Sequence, residues 1–139
     1  MNIKRLLLAV LAGWVLVFAT DFLIHELWMA PVYAATKSLW RPEADMPTYF
    51  CWILVAQFLI VTTFVIVWAR GFAGGSMGAA VTFGLLMGVF QQTWAIILFA
   101  VMPVPAELAI KWFFAGLVQA VLLGIVTSLV YKPAPVSVS

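Results

Sequence analysis

A chain of 139 residues with 66% hydrophobic and 9% charged side chains is not an ordinary soluble domain, in which about a quarter of residues are charged. Its net charge of only +2, without a basic stripe, excludes a nucleic-acid surface, and no nucleic-acid partner is expected. The single cysteine, Cys51, excludes an intramolecular disulfide and a cysteine-rich metal site.

The first apolar run, Leu6–Ile24, follows Lys4 and Arg5 in the manner of a secretory signal. It is longer than a typical signal core and is read as an uncleaved helix. Three further runs, Tyr49–Trp68, Met77–Met102 and Leu108–Tyr131, also reach the roughly 20 residues a helix needs to cross a bilayer. All four are continuously apolar rather than alternating, which argues for helices and against a small barrel. The expected fold is an all-α membrane protein: one four-transmembrane-helix bundle over residues 1–132, then a short polar tail, 133–139.

The longest connection runs from Met29 to Pro47. Pro31 suits the first turn of a short interfacial helix ending at Leu39. Pro42 and Pro47 then bias the segment Trp40–Pro47 toward an extended polar turn. The glycine-rich connection 71–78 is short, so the second and third helices are expected to be antiparallel neighbours. Pro103 and Pro105 mark a tight turn before the fourth. Trp28, Trp40, Trp52 and Trp112 at one interface and Trp68 at the other are placed at headgroup depth. Trp14 and Trp94 lie deeper, between helices. Cys51 reads as a small buried hydrophobe, with an intermolecular disulfide as the alternative.

Charge sets the orientation. Lys4, Arg5, Arg70 and Lys132 share one side with both termini. The other side holds Lys37, Arg41 and Lys111 with every acidic residue: Asp21, Glu26, Glu43, Asp45 and Glu107. Basic residues are retained in the cytoplasm, so both termini are expected there.

Two faces carry small residues at helical spacing. Gly84 and Gly88 lie on the third helix, and Gly116, Ala120, Gly124 and Ser128 on the fourth. Such faces let helices approach closely. They either appose within one chain or meet another subunit, so the expected partners are the bilayer and either a second copy or another membrane protein.

Ionisable residues inside a membrane are costly and face an interior, a cavity or a partner. Asp21 and His25, one turn apart, share a helix face. With Gln57, Gln91, Gln92 and Glu107 they form the candidate polar site, if the helix faces converge. The competing reading has Asp21 fixing the bundle, Glu26 as a hydrated neighbour and Glu107 capping its helix beside Lys111. In that reading the amides of Gln91, Gln92 and Gln119 bond between helices. One histidine and no Glu-x-x-His pair leave no metal or haem cofactor expected.

Three segments, Leu39–Met46, Met102–Pro105 and the fourth helix with Gly116, Gly124 and Tyr131–Lys132–Pro133, together resemble small uncharacterised four-helix proteins of bacterial inner membranes. The resemblance implies that location and no catalytic residue. The expected function is non-enzymatic: a structural or accessory subunit of a membrane complex, or a homo-oligomer. The alternative is a small transporter or ligand-binding bundle with an outward-facing polar site at Asp21 and His25.

Overall fold

The computed structural model describes residues 2–133; Met1 and all of the expected tail but Pro133 lie outside the described residues. Among those described, every regular element is helical. Helix α1 (Ile3–Asp21) runs into a π-helical segment, Phe22–Trp28, followed by a short α2 (Ala30–Ala35). Two 3₁₀ turns lead into α3 (Met46–Gly71), and α4 (Met77–Val101) and α5 (Ala106–Val130) complete the chain. Four stretches, Ile3–Trp28, Glu43–Gly71, Met77–Val101 and Ala106–Val130, are long and apolar enough to cross a membrane.

The helices start where the local chemistry allows. Asn2 caps α1 by accepting from the Arg5 amide at 3.2 Å, and Ser76 caps α4 by accepting from the Ala79 amide at 3.2 Å. Pro47 sits in the first turn of α3, where its missing N–H costs nothing. The expected extended turn therefore becomes helix from Met46 onward. Pro31 does the same for α2. That helix stops short of Leu39 at Thr36, which leaves helical geometry at φ −114°, ψ 27°, bonds its hydroxyl to the Val32 carbonyl at 2.8 Å and accepts from Trp40 Nε1 at 2.9 Å. Gly74, at φ 88°, supplies the left-handed residue of the α3–α4 connection.

Helix α1 packs against both α3 and α5, and α4 packs mainly on α5. The α4–α5 seam is the tightest. A Cβ on Gly84 would stand 2.6 Å from the Ala120 carbonyl oxygen, and one on Gly124 2.5 Å from that of Ala80. The two small-residue faces thus meet each other inside one chain.

Helices α3 and α4, joined by a short connection, are not the close neighbours expected. Their backbones approach at few points, and large rings bridge the gap. Phe83 packs on Phe64 at 4.8 Å and on Trp68 at 5.5 Å between ring centroids. Trp68 is 1% exposed, its indole held against the rings of Phe72 and Phe83. With Leu6, Val10, Val17, Val61, Val65 and Leu123, the rings of Phe64, Trp68 and Phe83 form a dry core. It occupies the half of the bundle that carries Lys4, Arg5, Arg70 and Lys132 and no acidic residue, hereafter the basic end.

At the opposite, acidic end a second apolar cluster of Met29, Ala95, Val104, Leu108 and Trp112 ties the α4–α5 turn to the segment after α1. Helix α3 does not belong to it. From Met46 to Ile60, α3 is buried only at Gln57. Cys51 is therefore exposed rather than a buried hydrophobe.

Candidate functional site: a polar cavity at the acidic end

Between the two apolar clusters lies a cavity of about 480 Å³. Val17 and Leu123 belong to both its wall and the dry core, and Met29 and Trp112 to both its wall and the acidic-end cluster. All four long helices contribute. Asp21 comes from α1, His25 from the π segment, Tyr33 from α2 and Gln57 from α3; Gln91 and Gln92 come from α4, Gln119 from α5.

Asp21 is the hub. Gln57 Nε2 donates to its Oδ2 at 2.6 Å, and Gln119 Nε2 donates to its Oδ1 at 2.8 Å. Both carboxylate oxygens therefore accept charge-assisted hydrogen bonds, which are the strong kind, and three helices are tied at one point. Gln119 spends its second amide hydrogen on Thr20 Oγ1 at 2.7 Å. The Thr20 hydroxyl in turn donates to the Leu16 carbonyl at 2.8 Å. Gln57 is 6% exposed, and its Oε1 has no protein partner. The Gln57 amide thus turns its nitrogen, not its oxygen, to Asp21.

A second network closes the acidic end. His25 Nδ1 lies 2.6 Å from the Tyr33 hydroxyl, and Trp112 Nε1 donates to the same oxygen at 2.8 Å. The His25 and Tyr33 rings stack at 5.9 Å. Trp40 stands edge-on to Tyr33 and to Trp112, and Trp94 stacks on Trp112 at 5.8 Å. Burial pushes the Tyr33 phenol above its ordinary value of 10.0, against the opposing pull of the Trp112 N–H. The hydroxyl therefore remains protonated at neutral pH.

The π-helical stretch positions His25. Its bonds reach five residues back, as Met29 N does to Ile24 O at 2.9 Å, and such widened turns recur at functional sites. The helix cannot run on past it, because Pro31 would place a donorless ring in the continuation.

Of the six residues expected at a polar site, Asp21, His25, Gln57, Gln91 and Gln92 line this one cavity. Glu107 does not; it pairs with Lys111 at 2.6 Å on the surface. Gln92, 8% exposed, lies over Gly116, the position on α5 with room for it. Sequence reasoning left out Gln119, Tyr33 and Trp112. Gln119 had a visible signal. Trp112, Ala115, Gly116, Gln119, Ala120 and Leu123 all line the cavity and recur at the three- and four-residue spacing of one helix face. The contacts of Tyr33 and Trp112 span 79 residues and have no local signature.

Among the described residues, no three His, Cys, Asp or Glu side chains converge as a metal-holding group. Compared with known protein families, curated proteins and solved structures, the chain matches none. The functional argument therefore rests on the residues of the cavity.

Proposed function

We propose that this protein is a small ligand-binding or transport bundle of the bacterial inner membrane. In this reading the four long helices span the bilayer, α2 lies at its outer interface, and both termini are cytoplasmic. The cavity then opens toward the outer side, where every acidic residue lies. The observation that carries the reading is the convergence of Asp21, Gln57 and Gln119, from three helices, on the wall of a cavity of about 480 Å³. That volume falls in the range of small-molecule sites, about 300–1,000 Å³, and a few polar groups on a mostly apolar wall is their usual composition. Amides dominate the polar lining, and they bind and orient but do not ionise; this supports binding over catalysis.

The accessory-subunit and homo-oligomer reading drew on the small-residue faces. Those faces meet in the α4–α5 seam of a single chain, which takes away one of its motives.

The test is cysteine accessibility in a Cys51→Ser background. A water-soluble thiol reagent applied from the outer side should modify Gln91→Cys, on the cavity wall, and spare Val65→Cys, which is 0% exposed in the dry core. Equal resistance at both positions would refute an open cavity and return the protein to a purely structural role.

A further inference from the structure

Resting on the reading of the cavity as a binding site, we infer that its ligand is a monocationic amine with an apolar body. The charge follows from the lining. Asp21 is the one carboxylate among the lining residues, and no Lys or Arg joins it. The one basic side chain on the wall, His25, has its Nδ1 engaged at 2.6 Å with the Tyr33 hydroxyl, so an anion would be desolvated there without a fixed counter-charge, which a buried ion does not tolerate. A cation finds Asp21 already built as an acceptor.

The carboxylate is also preorganised. Gln57 and Gln119 clamp one oxygen each, at 2.6 and 2.8 Å, so its position is set before a ligand arrives. Each oxygen retains a lone pair for an incoming N–H. The clamp uses the donor ends of both amides, so it adds no positive side chain that would compete with a cation. Arg or Lys in either position would hold Asp21 more strongly and would also neutralise it. A pair of glutamines orients the charge and leaves it available.

The rest of the wall specifies the body of the ligand. Ile24, Met29, Ala115 and Leu123 are apolar, and Trp94 and Trp112 add aromatic rings. Aromatic faces tolerate an ammonium and its neighbouring methylenes, whereas a second charged group would have no partner. This also separates a free amine from an aminophospholipid headgroup, whose phosphate would need a Lys or Arg that the lining lacks.

The experiment is a matched series of similar size, butylammonium, butanol and butyrate. Each is tested for its ability to slow modification of Gln91→Cys by a neutral thiol reagent, with the Cys51→Ser protein in maltoside detergent. Butylammonium should protect at about tenfold lower concentration than butanol, the scale of one charge-assisted hydrogen bond, and butyrate should not protect. Asp21→Asn should erase the preference and Asp21→Glu retain it. Should Asp21→Asn fail to fold, the series on the parent protein decides alone. Phosphatidylethanolamine added to the detergent should leave the rate unchanged. Protection by butyrate equal to that by butylammonium, or an Asp21→Asn protein that keeps the preference, would overturn the cationic ligand. Protection by the phospholipid at butylammonium's concentration would overturn the free amine. Modification of Gln91→Cys with no protection by any of the three also overturns the inference but leaves the open cavity standing. No modification at all refutes the cavity itself.

Discussion

The two halves of this bundle are held together by different physics. At the basic end, Phe64, Trp68 and Phe83 interlock with Val61, Val65 and Leu123 in a dry core, and the α4 and α5 backbones touch through Gly84 and Gly124. At the acidic end, α3 stands away from its neighbours, and what joins it to them is a carboxylate held by two amides. Close packing is the cheaper way to join apolar helices, since a polar cluster must recover its own desolvation before it stabilises anything. The polar hollow at the acidic end is what the proposed binding function rests on.

The contrast can be broken hardest from the packed side. Gly124→Leu would drive a side chain into the Ala80 carbonyl and the Gly84 backbone. Backbone cannot yield as a side-chain tip does, so the loss should reach about 3 kcal/mol or more. Thermal unfolding in detergent would detect it; an unchanged midpoint would mean that α4 and α5 do not pack as described.

An intermediate effect is expected at the hub. Gln119→Leu removes the donor to Asp21 Oδ1 and leaves a half-buried carboxylate with one of its two amide donors, at a cost of about 1–3 kcal/mol. Gln91→Leu, on the same cavity wall but with no bond to Asp21, should cost less in the same unfolding assay. Equal losses would mean that the carboxylate is not what Gln119 serves.

The smallest effect is expected at the acidic-end network. Tyr33→Phe takes away the oxygen shared by His25 and Trp112, worth about 1 kcal/mol. It also has a pH signature. The folded phenol titrates above the unfolded one, so its contribution is full below pH 10.0 and is lost as the pH rises through the folded value. The wild type should therefore lose more stability than Tyr33→Phe on passing into that range. Parallel alkaline curves for the two proteins would contradict the burial of the phenol.

Much of this architecture is legible in the chain. Four uninterrupted apolar runs of helical length leave little choice of element, and Gly84, Gly88, Gly116 and Gly124 announce a close seam. The partner of that seam is not legible, because spacing marks a face and not what meets it. The short 71–78 connection pointed to α3 as the neighbour of α4, whereas glycine-to-backbone contact joins α4 to α5. The site was half legible. Asp21 is expensive wherever it lies, and Gln57 stands out in an apolar run. Gln119 was hidden by a sufficient local explanation, as an ordinary interhelical amide. Trp68 and Trp112, expected at headgroup depth, pack inside the bundle, a contact that spacing in an apolar run does not reveal.

The central claim is that the polar hub serves the cavity rather than the fold, and one variant tests it directly. In Asp21→Leu/Gln57→Leu/Gln119→Leu the carboxylate, both clamping amides and the orphaned Gln57 Oε1 disappear together, so no charge is left unpaired. Replacing a complete buried polar cluster by apolar groups is often neutral or stabilising. The triple variant is therefore predicted to unfold within about 5 °C of the wild-type midpoint, or above it, although Gln119→Leu alone falls below. A triple variant that unfolds well below Gln119→Leu would contradict the account and make the hub a structural keystone.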